Sequence, residues 1–236
     1  MTHLGIVVAM TGEALSLTRQ VIAKGPSFGD PEGVIVYVSG VGGQRARLAG
    51  RKLIESGVKA LVSWGTAGGL TSQVSPGSLI LPHKIVSADE SIYEIDSNWH
   101  ERLFRRLAGH IDLHTGFLAE SKTVLASPSE KKALFDRTGA IAVDMESAAV
   151  AAVAHQAGVP FVAIRAIADR VDLAVPQSVL RSLDEFGRAR PLPFLRELFL
   201  HPNDLFSLIR LARDFRAAQA SLAAVAGLAG ADLLAP

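Results

Sequence analysis

AVDMESAAVAAVAHQAGVPFVAIRAIADRVD, residues 142–172, reads as a strand, a helix and a second strand in immediate succession. Ala142 begins a short buried strand that turns at Val143-Asp144-Met145-Glu146. The Ala-rich run that follows suits a helix of about three turns, since alanine loses no side-chain entropy on entering one. Gly158-Val159-Pro160 breaks that helix. Phe161-Val162-Ala163-Ile164 is continuously apolar, the pattern of a central strand covered on both faces, and the strand is expected to end near Asp169. In an open α/β sheet, ligands collect beyond the strand ends. Glu146 and Asp169 both fall there, so the two carboxylates are expected to share a pocket. A helix-start acid that complements the dipole is the other account of Glu146.

Outward from this unit, apolar runs of strand length alternate with helical patterns: Leu4–Met10, Leu15–Ile22, Val34–Ser39, Ala46–Glu55, Ala60–Trp64 and Ser78–Leu81. That alternation implies an α/β sandwich. A chain of 236 residues with 49% hydrophobic content can bury one substantial core. A net charge of +1, with both signs scattered, gives no surface for tracking phosphates, so nucleic acid is not an expected partner. The absence of cysteine excludes disulfides, thiolate metal sites and a cysteine nucleophile, and is compatible with a cytoplasmic location. Leu4–Met10 is too short for a signal-peptide core, and no stretch has the length of a membrane span. His110 and His114 have helical spacing but lack the glutamate of a zinc-protease motif, which points to a surface helix.

VDMES followed by PFVAIRAIAD resembles the adenosine-cleaving branch of the nucleoside phosphorylase and nucleosidase family. Gly5-Ile6-Val7-Val8-Ala9-Met10-Thr11-Gly12-Glu13, Ser39-Gly40-Val41-Gly42 and Trp64-Gly65-Thr66-Ala67-Gly68-Gly69 match it as well, in the family's order. The resemblance is to methylthioadenosine and adenosylhomocysteine nucleosidases, with a carboxy-terminal third similar to hopanoid-associated phosphorylases. It implies a three-layer sandwich around a central twisted mixed sheet and cleavage of an N-glycosidic bond. No cofactor and no metal are implied, and a homo-oligomer is.

The same resemblance assigns roles. Adenine leaves badly as an anion, so Asp169 is the expected acid that protonates the base; a carboxyl partly buried at a strand end has a reason to keep its proton. Glu13 corresponds to the acid that orients and deprotonates the attacking water. Glu146 is expected to hold the ribose hydroxyls and to stabilise the cationic sugar. Met145 lies against the sugar face on this reading, or packs in the core on a plainer one. Thr66 and Gly68, in a Gly-rich turn after a buried strand, offer a hydroxyl and free amides to an anion, a water or a sugar oxygen. Arg165 is expected to pair with the site carboxylates, or to form a structural ion pair.

Water and phosphate both stay open as nucleophile. Phosphorylases of this family commonly carry an arginine two residues before the first glycine of the Gly-rich turn; here the position is Ser63, and the nucleosidases lack it too. Against that, Gly40-Val41-Gly42-Gly43-Gln44-Arg45 forms a glycine-rich turn opening a helix, making Gly42 and Arg45 candidate phosphate contacts. Two departures stand out. Thr123 and Val124 occupy the place of the adenine-stacking aromatic, leaving base contacts to the Val124 backbone, and Ala168 replaces a serine before the acid.

Composition changes near Leu192, so residues 1–190 are read as the catalytic domain and 191–236 as an apolar helical extension packed on it. Leu192, Phe194, Leu195, Leu198, Phe199, Leu205, Phe206, Leu208, Ile209 and Leu211 exceed what one helix normally buries, and arginines flank them. Core packing, a subunit contact, or a chute for a lipid-linked nucleoside at the inner membrane surface would each use this face. The expected substrate is a purine nucleoside, an adenosine with an apolar 5′ group such as a hopanoid. The alternative is a non-catalytic nucleoside- or lipid-binding relative of the same fold.

Overall fold

β1 (Leu4–Val8) is buried along its whole length and pairs in parallel with β3 (Val34–Val38) on one side and β4 (Ala60–Gly69) on the other. The computed structural model describes residues 4–17, 25–29, 33–174, 184, 186 and 204–234. β2 (Gly25–Gly29) closes one edge against β3. On its far side β4 meets β11 (Phe161–Asp169), in parallel, and its last residues pair antiparallel with β10 (Ala142–Asp144). The sheet continues through β9 (Phe117–Glu120), β6 (Lys84–Val86) and β7 (Ile92–Glu94), while β5 (Leu79–Ile80) joins β11 to β8 (Leu113–His114). Both parallel and antiparallel pairs occur, so the sheet is mixed as expected.

Helices cover both faces. α2 (Gly43–Glu55) and α5 (Ser147–Ala157) pack on each other and on the sheet. α1 (Thr11–Leu17), α3 (Ser97–Leu107) and the long α6 (Asp204–Leu234) form the other layer. α4 (Pro128–Thr138) lies beside β9. The signals that set these helices are local. Asp96 and Ser127 cap α3 and α4 through their side chains, and Gly139 and Gly158 end α4 and α5 in the left-handed conformation. α6 turns Ala218, Leu222, Val225, Ala229 and Leu233 into the core that holds β1, β4 and β11, at the spacing of one helical stripe. Leu192, Phe194, Leu195, Leu198 and Phe199 lie outside the described residues.

Two expectations need correction. Gly65-Thr66-Ala67-Gly68-Gly69 is not a turn: β4 runs on to Gly69, paired with β11 and β10. The His110 and His114 spacing is not helical either, because α3 stops at Leu107 and His114 belongs to β8.

Candidate active site

The carboxyl ends of β1, β3, β4, β10 and β11 surround one cavity of about 470 Å³, within the range of small-molecule sites. Glu13, Arg45, Thr66, Gly68, Val124, Met145, Glu146 and Asp169 line it. Glu13 sits in the first turn of α1 and is buried. Its Oε1 accepts from the Thr66 amide at 2.7 Å and the Thr66 hydroxyl at 2.8 Å, and its Oε2 accepts from the amides of Met10 at 3.0 Å and Ala9 at 3.2 Å. Four donors therefore fix one rotamer.

Glycine in β4 is what allows the acids so close to the sheet. A Cβ at Gly65 would lie 2.7 Å from Glu13 Oε1, and one at Gly68 would lie 3.0 Å from Asp169 Oδ1. The registers of β4 and β11 shift between Ile167 and Asp169, so Asp169 rather than Ala168 comes opposite Gly68. Such a bulge re-aims a side chain at a strand end.

Glu146 occupies the N-cap position of α5 but makes no capping bond. Asp144 takes that work, accepting from the Ser147 amide at 3.2 Å and from the Ser147 hydroxyl. Glu146 is thereby released to reach across the cavity, where its Oε1 accepts from the Gly42 amide at 2.7 Å. Burial, with Asp144 adding to it, pushes the Glu146 carboxyl up to about 8, while Arg165 and the Gly42 amide pull the other way. Burial thus favours a proton on Glu146, against the standing negative charge expected from sequence.

Gly42 and Arg165 are absent from the cavity wall. The Gly42 amide is committed to Glu146, so it does not offer an open anion nest. Arg165 is buried behind the wall, its Nε 2.6 Å from Asp144 Oδ2 and its Nη2 2.7 Å from Ser63 Oγ. Its carboxylate partner is therefore Asp144, one the sequence reading left unassigned. Arg45 does reach the wall, and its Nη1 donates to the Val41 carbonyl at 3.1 Å.

Asp169 pairs with Lys131, a residue sequence reasoning passed over. The signal was slight: Ser127-Pro128-Ser129-Glu130 announces a helix, and on it Lys131 shares an i,i+3 face with apolar Leu134. Burial pushes the Asp169 carboxyl above its ordinary value, opposed by the Lys131 charge and hydrogen bond. Among the described residues no cluster of three or more metal-ligating side chains occurs, and no helix is long and apolar enough to cross a membrane.

Comparison with known proteins gives a consistent picture. Residues 3–190 match the model of the phosphorylase superfamily. A 5′-methylthioadenosine/S-adenosylhomocysteine nucleosidase of Shewanella oneidensis is 28% identical over 159 residues, covering 59% of this chain and 67% of the relative. The fold is that of the Helicobacter pylori nucleosidase of the same name, solved with 5′-methylthioadenosine in its active site: TM-score 0.70, 20% identity, 96% and 99% of the two chains covered. A Neisseria meningitidis counterpart, in complex with methylthio-immucillin-A, gives TM-score 0.68, 20% identity and coverage of 96% and 98%.

Proposed function

The chain belongs to the phosphorylase superfamily, and from that membership we propose that it cleaves the N-glycosidic bond of a purine nucleoside and releases adenine. The observation that carries this reading is the convergence of Glu13, Glu146 and Asp169 on one cavity at the strand ends. It is supported by the similarity to nucleosidases that act on adenosine derivatives.

The chemistry divides among the three acids. The C–N bond breaks with its electron pair on the base, and Asp169 passes its proton to a base nitrogen. Glu146 exchanges hydrogen bonds with the ribose hydroxyls, and its carboxyl oxygens face the positive charge that develops on the sugar. An oxygen nucleophile then attacks the anomeric carbon. If that nucleophile is water, Glu13 takes its proton. Thr66 and Met145 complete the wall around the sugar, and the Val124 backbone is left to meet the base. Arg165 acts from behind, by fixing Asp144.

Hydrolysis is favoured over phosphorolysis, because the Gly42 amide is already engaged and Arg45 alone remains of the two phosphate contacts. The 5′ group is apolar on this reading, since Met10, Val41, Val124 and Leu125 form part of the wall. A long lipid such as a hopanoid would extend toward α6, whose Phe206 and Ile209 are 81% and 59% exposed. A second copy of the chain is the other partner for that face.

Incubation with adenosine and with 5′-methylthioadenosine, each with and without phosphate, tests the reading. Free adenine with ribose, or with its 5′-methylthio form, is expected at an equal rate in both conditions. A requirement for phosphate with a sugar 1-phosphate product would make the enzyme a phosphorylase, and no adenine from either substrate would leave only the non-catalytic binding reading.

A further inference from the structure

Lys131 is the fourth residue of α4, and its side chain is 1% exposed. Its ammonium donates to Asp169 Oδ2, to the Arg170 carbonyl and, at 3.4 Å, to the Leu173 carbonyl. An ammonium has three donors, so each has an acceptor inside the protein. One cation thereby fastens both the carboxyl group and the segment that follows it. Both residues line the cavity, but Asp169 is 18% exposed and Lys131 1%, so the carboxyl presents more of the pair's surface. The contact occupies Oδ2 and leaves Oδ1 without it; both oxygens lie over the gap that Gly68 leaves in β4, Oδ1 the nearer at 3.0 Å from a Cβ placed there against 3.3 Å.

We propose that Lys131 is a positioning residue that clamps Oδ2 of Asp169, turns Oδ1 toward the nucleobase, and sets the pH range in which Asp169 supplies its proton. This rests on the reading of Asp169 as the acid. When the O–H bond at Oδ1 breaks and the proton moves to the base nitrogen, the carboxylate left behind is neutralised across a contact that already exists. Burial favours a proton held on Asp169, and the adjacent cation favours its release. The other charged groups near this acid are Asp214 on α6, which opposes release, Arg170 beside Asp214 at 3.7 Å, Asp184 on the cavity wall, and Glu13 and Glu146 on the remaining strand ends.

The test is a pH profile of kcat and KM for 5′-methylthioadenosine with the parent, Lys131→Met, Lys131→Arg and Asp169→Asn. Removing the cation raises the Asp169 pKa, so Lys131→Met is expected to move the alkaline limb of the kcat profile up by about one pH unit or more. Its kcat at neutral pH is expected to fall about 10- to 100-fold, with KM within about threefold of the parent. Lys131→Arg keeps the charge but not the compact three-way contact, and should return the limb to the parental pH with only part of the rate. A Met variant of lowered melting temperature but unmoved limb would overturn the proposal and reduce Lys131 to a structural clasp. Should the Met variant not fold, the Arg variant decides: parental kcat and limb together would show that the geometry of the clamp is immaterial. Loss of activity in Asp169→Asn alone would sink only the Lys131 proposal. Parental activity in Asp169→Asn would sink the reading of the acid, and Lys131 with it.

Discussion

Asp169 and Glu146 are both carboxyls that burial pushes toward holding a proton, yet their neighbours differ: a lysine ammonium for one, a backbone amide and a second carboxylate for the other. Asp169→Asn keeps shape and removes the transferable proton, so kcat is expected to fall by about two to four orders of magnitude, with a lowered melting temperature because buried Lys131 loses its charged partner. A variant as active as the parent would make Asp169 a mere loop anchor. Glu146 makes a prediction about stability. An ordinary glutamate titrates near 4.5 and this one near 8, so between those values the folded chain holds a proton that the unfolded chain has lost. Stability contributed by this group therefore falls as pH rises through that window. Glu146→Gln removes the penalty while keeping an acceptor for the Gly42 amide: its melting temperature should match the parent near pH 4.5 and exceed it on the order of 10 °C near pH 8. Parallel curves at all pH values would contradict the shift. Residue types and order were enough to suggest these acids. Lys131 and Asp144 were harder to find, because a lysine or aspartate near a helix start is ordinary until the fold buries it.

At the level of elements, β4 carries the site. Its glycines leave room for side chains from α1 and β11, so Gly65→Ala should drive a methyl group into Glu13 Oε1 and Arg165 Nη1, at 2.7 and 2.9 Å. At least a tenfold loss of kcat/KM with a lowered melting temperature is expected, of the size overpacking causes, roughly 1–3 kcal/mol. Gly227→Ala on α6, with nothing within 4 Å, is the control and should be neutral or stabilising. Equal behaviour of the two variants would show that β4 tolerates bulk. The long strands were legible because β1 and the first half of β11, Phe161–Ile164, are apolar runs. The continuation of β4 to Gly69 was not, since its Gly-rich composition imitates a turn and only pairing with β11 and β10 holds it extended. β5 lies within the apolar run Ser78–Leu81, but two- and three-residue strands such as β6, β7 and β8 are too short to show any period.

For the whole molecule, α6 links the sheet to a surface whose occupant is open to test. Phe206→Ser should reduce turnover of a long-chain 5′-alkyl adenosine far more than that of adenosine, if the exposed face receives the substrate's tail. Equal loss on both substrates, together with a fall in light-scattering mass to the 24.9 kDa of one chain, would instead identify a subunit contact. No change in either would leave the face without a role in this reaction. The buried Arg165–Asp144 pair has a different kind of consequence, one that concerns descent. Removing either partner strands the other charge away from water, at about 3–5 kcal/mol, a large part of the roughly 5–15 kcal/mol that holds a domain together. A lineage can therefore scarcely alter one of them without first altering the other, whereas Val124 at the cavity rim, 44% exposed, can be exchanged in a single step. New substrate preferences are expected to arise by drift at that rim, while the ion pair beneath the acids stays as ancestral ballast.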